Sequence, residues 1–172
     1  MHFQCRGKMK VTFSIKDTEG NELKVSLCSF NPEASKEIQD VLGTTDLIDI
    51  SLERNGNGYI ESKMLVSMVE IICDFLQENK DCILYYYCDE INEIPRMRRT
   101  KTLSPSEYRN KLFTLLFKKE QKSHTELPII DRDIEIDSEQ GQSHIHLIYF
   151  QYLEDKADRI EQELRSLSND LK

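Results

Sequence analysis

Four carboxylates and two histidines occupy alternate positions in neighbouring segments of the C-terminal third of the chain. Asp131, Asp133, Glu135 and Asp137 alternate with Arg132, Ile134 and Ile136, and His144 and His146 alternate with Ile145, Leu147 and Tyr149. In a strand, alternate side chains project from one face. If the apolar faces of the two segments coincide, the histidines join the carboxylates on the other face. Imidazole with carboxylate is a donor set for a divalent metal, which activates water. A metal-dependent hydrolase built this way uses Asp133, Glu135, His144 and His146. The same pattern is also the wet face of a hairpin, with cross-strand pairs between imidazole and acid. The second reading is favoured, because a flat exposed face lacks the cleft that metal catalysis needs. No catalytic residue, metal or cofactor is therefore assigned, and the chain is read as non-enzymatic.

Anion chemistry has its own segment. Residues 96–122 carry nine Lys/Arg against two acids, a local charge of +7 in a chain of net charge −8. Arg96, Arg98, Arg99 and Lys101 precede a helix start, and Arg109 lies one helical stretch further on. Arginines beside free backbone N–H groups suit a phosphate. A nucleic-acid backbone is one such ligand, although the acidic remainder of the chain opposes it and a solvated charged face is the simpler reading. Asp89 and Glu90 follow a central strand and read as a polar turn. No P-loop, dinucleotide-binding glycine motif or nucleophile elbow is present.

The third constellation is apolar. Leu153, Ala157, Ile160, Leu164, Leu167 and Leu171 recur at alternating three- and four-residue spacing, a narrow seam flanked by charged side chains. Such a helix meets another helix. It docks on its own domain, on a partner or on a second copy of itself, making a homodimer.

These groups need a scaffold, and the patterning supplies one. Val11, Phe13 and Ile15, a turn at residues 17–21, then Leu23, Val25 and Leu27 predict a hairpin. A short helix over 35–42, ended by Gly43, precedes a third strand over 47–54. Met64, Leu65, Met68, Ile71, Ile72, Phe75 and Leu76 predict a helix over 61–79. The run from Cys82 to Cys88 reads as a central strand. Ser104, Pro105 and Glu107 mark a helix start, with Tyr108, Leu112, Leu115 and Leu116 as the expected inner face, widened by Phe113. Two strands over 127–137 and 144–150 and a helix over 152–172 complete the order. The five cysteines lack paired spacing and read as core residues or spare thiols of a reducing cytoplasm, with no zinc site. No signal peptide and no membrane span is expected.

The strand Ile83–Asp89, rich in tyrosine and ending Cys-Asp, precedes a helix with Arg109, Leu112, Phe113 and Phe117 in an Arg-x-x-Leu-Phe-x-x-x-Phe pattern. This order resembles a family of small bacterial proteins, found mainly in Bacteroidota, that forms a domain of unknown function. The opening strands and the acidic C-terminal helix are similar too; the basic insertion from Glu90 to Leu103 departs from the family pattern. The resemblance implies a bacterial cytoplasmic protein and no particular activity.

The expectation is an α+β domain over 1–150, with a mostly antiparallel sheet of about six strands and helices on one face. A C-terminal amphipathic helix over 151–172 docks on it or dimerises. The expected function is that of a bacterial interaction module, an accessory of the toxin–antitoxin, immunity or phage-defence kind, with a protein or a second copy as partner. Nucleic acid is a less favoured partner and a membrane is excluded.

Overall fold

A computed structural model describes residues 10–30, 36–56, 60–88, 102–120, 128–138 and 141–170. Six strands form one sheet: β1 (Lys10–Lys16), β2 (Glu22–Ser29), β3 (Asp46–Asn55), β4 (Cys82–Cys88), β5 (Ile129–Ser138) and β6 (Gly141–Phe150). Packed on it are α1 (Lys36–Leu42), α2 (Ser62–Glu78), α3 (Pro105–Glu120) and α4 (Glu154–Asp170). The spatial order is β1-β2-β3-β4-β6-β5. Every pairing is antiparallel except β3 with β4, which α2 connects. The α+β class and the mostly antiparallel sheet therefore hold. Among the described residues no helix is long and apolar enough to cross a membrane.

Local chemistry explains where the elements begin and end. Asp17 caps the β1–β2 turn, its Oδ1 accepting from the backbone N–H groups of Glu19 and Asn21 at 2.9 and 2.8 Å. Gly56 after β3 has φ +119°, and a Cβ there would stand 2.5 Å from the Asn21 side-chain oxygen and 3.2 Å from Asn21 Cα, so both the backbone conformation and the close approach of Asn21 favour glycine. The start of α3 is a capping box: the Ser104 hydroxyl accepts from the Glu107 N–H at 3.2 Å, and the Glu107 carboxylate accepts from the Ser104 N–H at 2.7 Å.

Helices cover both faces of the sheet, not one. On the first face α2 and α3 pack over Val25, Leu27, Ile48, Leu84, Tyr86 and Ile148. On the second, α1 and α4 pack over Leu47, Ile83, Tyr85, Ile134, Leu147 and Tyr149. The cause lies in the central strands. Residues 82–86 of β4 and 143–150 of β6 are buried at consecutive positions, so both of their faces need a cover.

The C-terminal seam is used within the chain. Leu153, Ala157 and Ile160 are buried in the second core, and Leu164 and Leu167 pack against it. Arg132 reaches from β5 to Glu154, to Asp158 at 2.5 Å and to Glu161 at 3.1 Å. Burial pulls this guanidinium down, but the carboxylate hydrogen bonds and the Tyr149 and Glu154 charges outweigh it, so the pKa is raised. Further along α4, Arg165 donates to the Glu135 carbonyl at 2.8 Å and Ser168 to that of Asp137 at 3.0 Å, covering part of the edge strand β5.

Cys73, Cys82 and Cys88 are buried thiols outside any disulfide, as expected of core cysteines. Cys28 departs from that reading: it is disulfide-bonded, to a partner outside the described residues. Burial, then the charges of Asp46 and Asp81, pushes the Cys82 thiol up to about 12. That keeps it protonated and unreactive.

Candidate functional site

The imidazoles and carboxylates come together as the alternation predicts. In the β5–β6 register Asp133 lies opposite His146 and Glu135 opposite His144, all on the first face. His146 Nδ1 is 2.7 Å from Asp131 Oδ1, and His144 Nδ1 is 2.9 Å from Asp133 Oδ1. The expected wet face is covered, however. α3 lies across it, with Phe113 at 5.0 Å from the His146 ring and stacked on Tyr86 at 4.4 Å. Asn110 Nδ2 stands 2.8 Å from both Asp133 Oδ2 and His144 Nδ1. The ladder thus grades from a dry end, where the side chains of His146 and Asp131 are 0% and 5% exposed, to a wet end at Asp133, 37% exposed.

This arrangement fixes what the residues do. An imidazole held at Nδ1 by a carboxylate with Nε2 left over has the geometry of a general base. Here Nε2 of His146 is buried with no hydrogen-bond partner among the described residues, and Phe113 and Tyr86 enclose the ring, so no substrate reaches it in this conformation. Each histidine is engaged by one acid. Among the described residues no three His, Cys, Asp or Glu side chains gather as a metal would need. Asp131, Asp133, His144 and His146, joined by Asn110, therefore form a polar clamp between β5, β6 and α3, and the nominated Glu135 is not part of it. Glu135 faces outward and accepts from Gln142 at 2.7 Å.

The anion-binding set divides. Arg96, Arg98, Arg99 and Lys101, with Asp89 and Glu90, lie outside the described residues. Arg109 is 6% exposed on the inner side of α3 and is engaged within the fold, so it is not the surface cation its neighbours suggested. Its burial follows from the orientation of α3. Two stripes compete on this helix. Ser106, Arg109, Phe113 and Phe117 face the sheet, whereas Leu115 is 67% exposed and Leu112 and Leu116 are half-buried. The aromatic pair wins because Phe113 and Phe117 fill the space beside Tyr86 and bury more area than the leucines would. Among the nominated interface residues, Leu171 lies outside the described residues. Leu153, Ala157 and Ile160 cannot meet a second copy while they occupy their own core.

The displaced leucine stripe creates a feature that sequence reasoning missed. Between α2 and α3, on the side away from the sheet, runs an open groove of about 520 Å³. Leu65, Val66, Leu112 and Leu116 line it, Lys63 and Lys119 rim it, and Glu70 is its one acid among the described residues. Leu115 extends the same stripe outward, with exposed Lys111 and Lys118 beside it on the outer face of α3. The signal available in the sequence was the presence of two apolar stripes on one helix, only one of which a single sheet can bury.

No protein-family model, curated protein or solved structure matches the chain. The likeness to the bacterial family of unknown function rests on the quoted residues alone and adds nothing to the reading of the site.

Proposed function

We propose that the protein is a non-enzymatic interaction module whose docking surface is the α2–α3 groove, and that its partner presents an amphipathic helix with acidic flanks. The observation that supports this is the groove itself: an apolar floor of Leu65, Val66, Leu112 and Leu116 between two lysine rims, open to solvent beside an exposed Leu115. A helix with apolar residues at i, i+3, i+4 and i+7 matches such a floor. In the described lining of the groove two lysines, Lys63 and Lys119, stand against one acid, Glu70, so acids on the partner's flanks are favoured over bases. The polarity is notable because the chain as a whole is acidic. A small-molecule site fits less well, since the groove is open to solvent and does not enclose a ligand.

A fluorescein-labelled 18-residue peptide with leucines at that spacing and glutamates on both flanks is the probe. Saturable binding is expected, with amide shifts confined to α2 and α3, and it weakens at least tenfold in the Leu115→Glu, Lys119→Glu double variant. The same peptide with lysines in place of the glutamates should bind at least tenfold more weakly. Equal binding of the two peptides, or shifts elsewhere on the molecule, would refute the proposed partner chemistry.

A further inference from the structure

One nitrogen of the polar clamp has two neighbours that it cannot serve together. His144 Nδ1 stands 2.9 Å from Asp133 Oδ1, an acceptor, and 2.8 Å from Asn110 Nδ2, a donor. A ring nitrogen either carries a proton or offers a lone pair. With the proton, it donates to Asp133 and turns an N–H against the Asn110 amide. With the lone pair, it accepts from Asn110 and leaves Asp133 Oδ1 without the imidazole. The amide does not escape by exchanging its ends, because Nδ2 also donates to Asp133 Oδ2 at 2.8 Å and Oδ1 accepts from the Thr114 hydroxyl at 3.3 Å. The carboxylate has more freedom: the Asp133 side chain is 37% exposed, against 9% for His144, so water replaces the bond it gives up. His146 Nδ1 meets no such conflict among the described residues, where its partner is Asp131.

Asn110 carries the consequence into α3. It ties this helix to β5 and β6 on one side, and Leu112 and Leu116, further along the same helix, line the groove on the other. The described titratable or charged groups that face the His144 ring come from three neighbouring elements. β5 supplies Asp133 and, opposite in the register, Glu135, which accepts from Gln142. β4 supplies Cys88, a buried thiol opposite His144. α3 supplies Arg109, buried on its inner side and engaged within the fold, while the Glu107 carboxylate is held by the Ser104 N–H. On β6 itself the next group on this face is His146, paired with Asp131.

We infer that His144 is a proton-operated latch on α3. The neutral ring, with its proton on Nε2, accepts from Asn110 and holds the helix to the sheet. The imidazolium carries protons on both nitrogens, so it bonds Asp133 and releases Asn110. Imidazole is the side chain whose charge ordinarily changes between pH 5 and 8. The direction is fixed by the geometry, because acid supplies the proton that Asn110 cannot accept. Acidification therefore loosens the middle of α3 and, through Leu112 and Leu116, weakens docking in the groove; this second effect rests on the groove being the docking surface.

Nitrogen-15 spectra of the imidazoles and of the Asn110 side-chain amide between pH 5 and 8 test the latch without any partner. The Nε2–H tautomer of His144 is expected at pH 8, and the Asn110 amide should shift with the His144 titration. A neutral ring protonated on Nδ1, or an amide that ignores the titration, would overturn the inference. The leucine–glutamate peptide is the second arm. Its affinity should fall at least threefold from pH 8 to pH 5.5, a range in which its glutamates stay ionised. By reciprocity, saturating peptide should lower the His144 midpoint by about half a pH unit, the linkage counterpart of a threefold preference for the neutral ring. His144→Gln should bind the peptide equally at both pH values. Equal binding by the wild-type chain at pH 8 and pH 5.5 would overturn the inference, whereas a peptide that binds at neither pH would count against the groove and leave the spectra to decide the latch.

Discussion

Replacing Asp49 by Asn tests what a half-buried carboxylate on the second face of the sheet costs the fold. The carboxyl is pushed from its ordinary 3.8 to about 6 by burial, with no ion pair among the described residues to offset it. At 1.36 kcal/mol per pH unit, the ionised side chain costs the folded state about 3 kcal/mol at neutral pH. Between pH 3.8 and about 6 the folded chain holds a proton that the unfolded chain has lost, so stability falls as pH rises through this window. Below it both states are protonated and the penalty is absent; above it the penalty is complete. Asn keeps the shape and removes the charge, while its half-buried amide costs about 1 kcal/mol in place of the carboxylate. A net gain of about 2 kcal/mol is expected at pH 7.5, or about 4–8 °C in Tm for a chain of this size. Urea denaturation followed by circular dichroism from pH 4 to 7.5 measures it. The variant should lead at pH 7.5, and the two proteins should converge near pH 4. An equal or lower stability for Asp49→Asn at pH 7.5, or a difference that persists undiminished at pH 4, would refute the argument.

Three further outcomes test the packing. Ile160→Glu places a charge in a site that is 0% exposed, and should lower stability by about 4 kcal/mol while leaving the mass measured by light scattering unchanged with concentration. Asp131→Ala removes the partner of a fully buried imidazole and should cost about 2–3 kcal/mol, read from the urea midpoint at pH 7.5; Asp131→Asn, which retains an acceptor oxygen, should cost less. Arg132→Ala leaves Glu154, Asp158 and Glu161 without their shared cation and Tyr149 without the guanidinium 5.7 Å from its ring centre. It should cost about 2 kcal/mol, and hydrogen exchange should rise first in α4.

The elements themselves were legible in residue order. Alternation at Val11, Phe13 and Ile15, the Ser104–Glu107 capping box and the apolar run of β4 depend on neighbours within a few positions, and short-range sterics and hydrogen bonding settle such features locally. The juxtaposition of His144 and His146 with the acids of β5 was legible too, because a two-residue period fixes which face each side chain takes once the pairing is known. Only the tertiary structure decided which faces are wet. α3 carries two stripes of similar apolarity, and its rotation follows from the fit of Phe113 and Phe117 beside Tyr86. That choice buries Arg109, dries the His146–Asp131 pair and leaves Leu115 outside. Likewise, the seam of α4 has the same spacing whether it meets a sheet or a second helix. Its destination depends on β4 and β6 being buried on both faces, a property of the whole sheet that sequence spacing within α4 does not contain.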